Sequence, residues 1–124
     1  MRLLLDTHAL LWWLDDDARL DPSAADAIAD ADVVAVSAAS AWEIAIKQAI
    51  GKLTGPEDLS AQLSTNGFTE LPVTVAHALA AGALPPHHSD PFDRMLVAQS
   101  LLEGLVVVTR DERLADYGIA HLRA

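Results

Sequence analysis

Hydrophobic residues along the chain fall into short continuous runs that alternate with longer segments of helical periodicity. The runs are four to six residues long and contain few polar residues, which is typical of strands that are buried on both faces of a sheet. The run at residues 105–108 is the strongest of them, and the last run is predicted to be an edge strand. The predicted strands are residues 2–5, 33–36, 68–73, 105–108 and 119–122.

Helix start and stop signals lie between these runs. Asp21-Pro22 and Asp90-Pro91 each place a capping side chain before a proline, and Gly104 follows the last helical pattern. The predicted helices are residues 7–14, 22–31, a long one from a cap at Ser37 or Ser40 to Gly51, one opened by Pro56 and stopped by Asn66-Gly67, a short one from Thr74 to Gly82, and 91–103.

Strands that alternate with helices, joined by connections long enough for crossovers, predict a three-layer α/β/α fold with a largely parallel central sheet. No repeat, low-complexity tract or linker interrupts residues 1–124, so we predict a single domain. In open sheets of this kind, ligands bind beyond the carboxyl ends of the strands. Polar residues at those ends are therefore the first candidates for a functional site.

Four acidic residues occupy such positions. Asp6 directly follows the first strand, and Asp111 lies three residues after Val108 at the end of the fourth. Glu43 and Asp93 lie in the early turns of helices that begin at the same edge. Two unit charges about 4 Å apart repel by roughly 4 kcal/mol at an effective dielectric near 20, so clustered carboxylates protonate in part or bind a cation. The four acids predict an oxygen-rich site suited to Mg²⁺, with Mn²⁺ as the alternative.

Three of these acids also have an ordinary structural interpretation. Asp93 lies in the first turn of a helix, where acids are favoured by the helix dipole. Ser40 and Glu43 have the spacing of a capping box, and Glu43 with Lys47 forms a favourable i,i+4 pair. Asp111 can cap the short segment that follows it. An ordinary structural interpretation is harder to support for Asp6, because a charge directly after a buried strand is costly unless it is paired.

Charge and composition restrict the function further. The absence of cysteine excludes disulfides and thiolate metal sites. The formal net charge is −10, which opposes RNA binding unless cations fill the site and basic groups lie beside it. Five basic residues lie close in sequence to these acids and can contact phosphate: Lys47, Lys52, Arg94, Arg110 and Arg113. Eight of the eighteen acids lie between Asp6 and Asp32. This cluster is interpreted either as a solvated helical surface or as a binding surface for a basic protein.

No signal peptide or membrane span is predicted. The first apolar run is interrupted by Asp6 and His8, and Asp15–Asp17 follow it in place of a small-residue cleavage site. No uninterrupted apolar stretch approaches the roughly 18 residues of a membrane span. We therefore predict a cytoplasmic protein.

The histidines and tryptophans carry less information. His87 and His88 are adjacent in a loop, where both rarely face one ion, so surface positions are expected for them. Trp12, Trp13 and Trp42 are expected in the core or in an interface.

The order and spacing of four short motifs resemble the PIN-domain family, specifically the VapC-type toxins of bacterial toxin–antitoxin pairs. The resemblance covers essentially the whole chain. It rests on Leu5-Asp6-Thr7, Ser40-Ala41-Trp42-Glu43-Ile44, Asp90-Pro91-Phe92-Asp93-Arg94 followed by Ala98, and Thr109-Arg110-Asp111. It implies an endoribonuclease that depends on Mg²⁺ or Mn²⁺, forms a homodimer, and is held inactive by a cognate antitoxin.

The resemblance also implies roles for individual residues. Asp6 and Asp93 are the first-choice metal ligands and catalytic acids, and Glu43 and Asp111 complete the site directly or through water. Metal-activated water then hydrolyses the RNA phosphodiester without a covalent enzyme intermediate. The residues expected to support the carboxylates or to contact the substrate are Thr7, Ser40, Asp90, Arg94 and Thr109.

Two other functions are compatible with the residues. One is a haloacid-dehalogenase-like phosphatase with Asp6 as its nucleophile, although such sites usually have a second aspartate where this chain has His8. The other is a non-catalytic module whose acids bind a structural ion or a basic partner. RNA cleavage that requires added metal and stops with a chelator distinguishes the nuclease from this module.

Overall fold

Five parallel strands form the centre of the molecule in the computed structural model, which describes residues 1–124. The strands are β1 (Arg2–Leu5), β2 (Val33–Ser37), β3 (Thr69–Leu71), β4 (Val106–Thr109) and β5 (His121–Arg123). Their order in the sheet is β3-β2-β1-β4-β5, and every neighbouring pair is parallel. The predicted parallel sheet and the predicted edge position of the last strand are confirmed.

Six α-helices and one 3₁₀ helix connect the strands. They are α1 (Thr7–Leu14), α2 (Pro22–Asp30), α3 (Ala38–Ala49), α4 (Leu59–Thr65), α5 (Val75–Ala83), α6 (Pro91–Glu103) and the 3₁₀ helix at Glu112–Tyr117. Each begins after a side chain that accepts a hydrogen bond from a backbone N–H of the first turn, which satisfies a donor that has no partner within the helix. Local capping chemistry therefore fixes where the helices start.

The two faces of the sheet carry two separate hydrophobic cores, because side chains alternate along each strand. On β1, Leu3 and Leu5 pack with Leu10 in the core beneath α1 and α2. Leu4 points to the opposite face and packs with Leu96 of α6 in the second core. Helices thus cover both faces, and the predicted three-layer α/β/α arrangement is confirmed.

The structure differs from the predicted element bounds mainly at the sheet edges and in the fourth helix. Pro56 does not open α4; the helix starts three residues later, where the Asp58 carboxylate accepts the Ala61 N–H. The predicted strand at 68–73 shortens to Thr69–Leu71, and the last strand moves from 119–122 to His121–Arg123. Both are edge strands with a hydrogen-bonded neighbour on one side only, so hydrophobicity alone fixes their limits poorly.

The longest helix, α6, has 13 residues. None of the helices combines the length and the hydrophobicity that a bilayer crossing requires.

Candidate functional site

A pocket of about 410 Å³ opens beyond the carboxyl ends of the central strands β1 and β4. Its acidic lining residues are Asp6, Glu43, Asp90, Asp93 and Asp111, and its basic ones are Lys47, Arg110 and Arg113. All four acids that the sequence predicted for one site therefore lie around one pocket. They come from positions up to 105 residues apart, so only the sheet topology brings them together.

Asp6 is held at the centre of this edge by the backbone on both sides. Its N–H donates to the Val108 carbonyl of β4 (3.0 Å), which extends the pairing of the two central strands by one residue. Its Oδ1 accepts the N–H of Ala9 (2.8 Å) and caps α1. Only 5% of Asp6 is exposed, so this carboxylate is nearly removed from water.

Glu43 enters the pocket from α3. Its Oε1 accepts a hydrogen bond from the Thr7 hydroxyl (2.5 Å), and its Oε2 pairs with the Lys47 ammonium (3.0 Å). The expected Lys47 pair is therefore present, but the capping-box interpretation is wrong: Ser37 caps α3, so Ser40 lies inside the helix. Ser40 is buried and its Oγ has no hydrogen-bond partner.

The two acids at the start of α6, Asp90 and Asp93, have different roles. Asp90 caps the helix, since its Oδ1 accepts the N–H groups of Phe92 (2.8 Å) and Asp93 (3.2 Å). The Asp93 carboxylate is left free to line the pocket. The ordinary interpretation of this segment as a helix start is therefore correct, and it does not compete with a site role for Asp93.

Asp111 likewise combines a cap with a place in the pocket. Its Oδ1 accepts the Arg113 N–H (3.0 Å) at the start of the 3₁₀ helix, and the Arg113 guanidinium donates to both carboxylate oxygens. The Asp111 N–H donates to the Thr109 hydroxyl (3.0 Å). Thr109 thus fixes the backbone of Asp111, and its hydroxyl also lowers the pKa of the Asp6 carboxyl.

His88 is the site residue that the sequence did not identify. It was expected at the surface, but only 7% of it is exposed. Its Nε2 lies 2.9 Å from Asp93 Oδ2 and 3.1 Å from Asp111 Oδ2. Its Nδ1 accepts the Asp90 N–H (3.3 Å), which leaves the Nε2–H to face the two carboxylates. The only sequence signal was its place two residues before the Asp90-Pro91 motif.

Burial and mutual repulsion make the carboxylates of Asp6 and Asp93 unusually weak acids. Burial raises the pKa of Asp6, and the neighbouring Glu43 charge adds to this effect, against hydrogen bonds from Ala9 and Thr109. Burial also raises the pKa of Asp93 to about 6, with further contributions from other carboxylates of the pocket. The charged forms of both groups are therefore destabilised in the absence of a compensating cation.

Asp111 behaves in the opposite way. Hydrogen bonds from Arg113 lower the pKa of Asp111 to about 2, and its charged form is retained at all physiological pH values. The pocket thus combines one permanently charged acid near its rim with two acids whose charge is costly. This combination favours the binding of a positively charged group between them.

Arg94 is one of three predicted site residues, with Ser40 and Thr109, that do not line the pocket. Its guanidinium donates five hydrogen bonds of 2.8–3.3 Å to the carbonyls of Ala81, Leu84, Pro85 and His88 and to the Tyr117 hydroxyl. It does not line the pocket. Arg94 instead fixes the position of the loop that carries His88 through these hydrogen bonds, so its effect on the site is indirect.

Replacing Arg94 with lysine is expected to lower the free energy of unfolding by about 1–3 kcal/mol, because buried acceptors lose their partners and an ammonium cannot span the five positions. Urea denaturation of wild type and Arg94→Lys measures the effect. Arg2→Lys is the matched control, since Arg2 makes one long contact (3.5 Å) at the surface. Equal losses in both variants would contradict the assigned role.

Two predictions about aromatic residues have different outcomes. Trp12 and Trp13 are partly buried against the core beneath α1, as expected. Trp42 is 65% exposed and contacts Phe92 edge-on, with ring centroids 5.6 Å apart. Trp42 therefore does not belong to either core, and of the two expected positions only an interface remains for it.

The fold is that of α/β proteins that bind ligands beyond the carboxyl ends of their parallel strands. The carboxylates gathered at that edge are of the kind that suits a cation. The model of the PIN domain matches residues 3–120, which is nearly the whole chain. The chain belongs to the PIN-domain family.

Individual relatives agree with this membership. The chain is 35% identical over 122 residues to Ribonuclease VapC22 of Mycobacterium tuberculosis, covering 93% of this chain and 91% of the relative. Its fold is similar to VapBC2 from Rickettsia felis bound to a promoter DNA fragment (TM-score 0.69, 13% identity, 98% of each chain). It is also similar to a toxin–antitoxin complex from Klebsiella pneumoniae (TM-score 0.69, 17% identity, 98% of this chain and 96% of that one).

Proposed function

We propose that this protein is a metal-dependent endoribonuclease that acts as the toxin of a toxin–antitoxin pair. The observation that carries the proposal is the convergence of Asp6, Glu43, Asp93 and Asp111 on one pocket at the sheet edge. The relative of 35% identity is a ribonuclease, and the structurally similar proteins include toxin–antitoxin complexes. Both support the extension from the geometry to the activity.

The residues of the pocket fit a divalent cation. Carboxylate oxygens are the preferred ligands of Mg²⁺ and Mn²⁺, and the two acids with raised pKa values gain most from a bound positive charge. Asp6, Asp93, Glu43 and Asp111 would hold the metal. A bound divalent cation supplies an activated water and stabilises the negative charge that develops on a phosphate.

The surrounding side chains orient these acids and bind the substrate. The Thr7 hydroxyl and the Lys47 ammonium fix the two oxygens of Glu43. His88 holds the facing oxygens of Asp93 and Asp111 in place. Lys47 and Arg113 line the same pocket and offer positive charge to a phosphate of the RNA backbone, which offsets the unfavourable net charge of the chain.

We propose Mg²⁺ as the physiological metal and Mn²⁺ as a substitute. Four oxygen donors suit both ions. The His88 Nε2–H faces Asp93 and Asp111, so His88 donates to two of these ligands and is not itself counted as a ligand. We therefore expect either ion to support cleavage.

The proposal includes assembly with other chains in the cytoplasm. Large apolar side chains are exposed at Trp42 of α3, at Ile50 directly after α3, and at Val75 and Leu79 of α5. Such exposed side chains are typical of protein interfaces, and they support both a homodimer and a complex with a cognate antitoxin. Light scattering of the purified chain, alone and with the product of the neighbouring small reading frame, tests this assembly.

Removal of metal is expected to abolish RNA cleavage, because the proposed reaction needs a cation both to activate water and to stabilise the negative charge that develops on the phosphate. Cleavage of cellular RNA should stop in EDTA and return with excess Mg²⁺ or Mn²⁺. Cleavage that persists in EDTA would contradict the metal-dependent nuclease. Absence of cleavage with either metal would favour the non-catalytic module, and a trapped phosphoryl adduct on Asp6 would favour the phosphatase.

A further inference from the structure

A second cavity, of about 460 Å³, adjoins the acidic pocket. The two share His8, Trp12 and Lys47, so they form one continuous depression. The second cavity lies between α1, the loop after α1, and the segment that joins α3 to α4. We call it the Trp12 cavity; the lining residues that matter here are His8, Trp12, Arg19, Lys47, Lys52 and Gln62.

Basic side chains line both parts of this depression. Five of the eight basic residues of the chain lie there: Arg19, Lys47, Lys52, Arg110 and Arg113. Five carboxylates belong to the acidic pocket, whereas the Trp12 cavity has three basic residues against two acidic ones, Asp15 and Asp17. In a chain with a net charge of −10, this small positive excess beside the site of proposed hydrolysis favours the approach of a polyanion there.

Lys52 is the cation in the Trp12 cavity that is free to bind an anion. Arg19 is paired with Asp17 (2.7 Å), and Lys47 is paired with Glu43 (3.0 Å). The Lys52 ammonium has no carboxylate within 4.0 Å, and its side chain is exposed. An incoming phosphate can therefore pair with Lys52 without breaking an existing ion pair.

Flat side chains form the wall between the two parts. The Arg110 guanidinium carbon lies 4.5 Å from the Trp12 ring centroid, and that of Arg19 lies 5.6 Å from it. The exposed His8 ring lies 5.8 Å from the same centroid, tilted by 38°. Nucleobases of single-stranded RNA stack on aromatic rings and guanidinium planes of this kind.

We propose that the Trp12 cavity binds a nucleotide of single-stranded RNA next to the scissile phosphate, with the base against His8 and a phosphate at Lys52. The inference rests on the proposed function and adds to it the position of the substrate. The cavity volume lies in the usual range of about 300–1,000 Å³ for ligand sites. A protein partner is the competing occupant, but none of the large exposed apolar side chains, which protein interfaces use, lines this cavity.

The test measures RNA binding without cleavage. In the wild-type protein, with Ca²⁺ in place of Mg²⁺ to fill the pocket without supporting rapid hydrolysis, the anisotropy of a fluorescein-labelled single-stranded RNA dodecamer of mixed sequence gives Kd over a range of salt concentrations. Lys52→Gln should raise Kd by about three- to fivefold and reduce the slope of log K against log salt by about 0.7, as expected for one lost phosphate contact. Arg2→Gln removes the same charge at the amino end of β1, on the side of the sheet opposite the pocket. It should change neither Kd nor the salt slope.

A second variant tests the stacking contact. His8 is exposed, so His8→Ala does not disturb either core. It should raise Kd by at least about fivefold, the effect of one lost base stack, and leave the salt slope unchanged. The two variants thus separate the phosphate contact from the base contact.

The outcomes distinguish this inference from the proposed function. Equal Kd values and salt slopes for Lys52→Gln and Arg2→Gln would overturn the inference, even if the wild type cleaves RNA. Unchanged RNA binding with weaker binding of the cognate antitoxin would make the cavity a protein-docking site and would also overturn it. Failure of the proposed function would appear separately, as the absence of metal-dependent cleavage by the wild type.

Discussion

Asp6→Asn is expected to reduce metal-dependent RNA cleavage on the order of 10³-fold or more, a loss typical of a group that acts directly on the transition state. Asp6 is the most buried carboxylate of the site, and it lies at the junction of β1 and β4. An amide has the same shape but no charge, so it cannot provide the electrostatic attraction that holds a divalent cation.

The same substitution is expected to leave the fold intact. Asp6 caps α1 through its Oδ1, and asparagine offers an equivalent oxygen to the Ala9 N–H. The substitution also removes a buried charge whose pKa is raised by burial, so the free energy of unfolding of the metal-free protein should rise.

A matched control separates this effect from a change in net charge. Asp26→Asn removes one negative charge from the exposed surface of α2 and should retain wild-type cleavage. Cleavage rates in Mn²⁺ and urea denaturation curves in EDTA are measured for both variants. Full activity of Asp6→Asn, with the chelator sensitivity of the wild type, would remove Asp6 from the proposed site.

The metal-free protein is expected to lose about 1–2 kcal/mol of stability between pH 5 and pH 7.5. Burial and neighbouring carboxylates raise the pKa of Asp93 to about 6, and burial raises that of Asp6. A group with a raised folded-state pKa binds more protons in the native state than in the unfolded state, so stability falls as pH rises through this window. One pKa unit corresponds to about 1.36 kcal/mol, and the partial exposure of Asp93 to solvent reduces the net effect.

The groups with lowered pKa values do not reverse this trend. Hydrogen bonds from Arg113 and Arg19 lower the pKa values of Asp111 and Asp17 to about 2, so their contributions to stability are already complete below pH 5.

Metal at 100 times its Kd should raise the free energy of unfolding by about 2.7 kcal/mol at pH 7.5, because it binds only the native pocket. The slope of stability with pH should therefore differ between EDTA and saturating Mn²⁺.

The chain also has five histidines, so the comparison needs a variant that isolates the contribution of the Asp93 carboxylate. Urea denaturation in EDTA at pH 5 and pH 7.5 is measured for wild type, Asp93→Asn and the surface control Asp26→Asn. Asp93→Asn should flatten the pH dependence, whereas the control should retain it. Wild-type stability that increases from pH 5 to pH 7.5 in EDTA would show that the carboxylates of the pocket do not repel one another as described.

The positions of the acids could be predicted from the sequence because each depends on local rules. Asp6 follows three buried leucines, and Asp111 follows a run of valines, so both had to lie at strand ends. The helix starts at Asp90-Pro91 and after Ser37 are set by capping side chains that act within three residues. Parallel topology then required these ends to share an edge.

The environment of those residues was not predictable in the same way. Ser40 has the spacing of a helix cap, but the extended backbone at Ser37 ends one turn earlier and takes that role. Arg94 lies beside Asp93 in the chain, yet it points to the carbonyls of the 81–88 region. Adjacent residues on a helix point in different directions, so proximity in sequence does not place them in one pocket.

By itself, then, the sequence determined the parallel α/β architecture and the acids that meet at one edge, because hydrophobic periodicity and helix caps are local and strand direction is shared. Only the tertiary structure decided that His88 is buried between Asp93 and Asp111, and that Lys52 lies unpaired in a cavity beside them. The contact between His88 and Asp111 spans 23 residues, and the Trp12 cavity is lined by residues that range from His8 to Gln62. Their distances depend on how the layers pack, which no local pattern encodes.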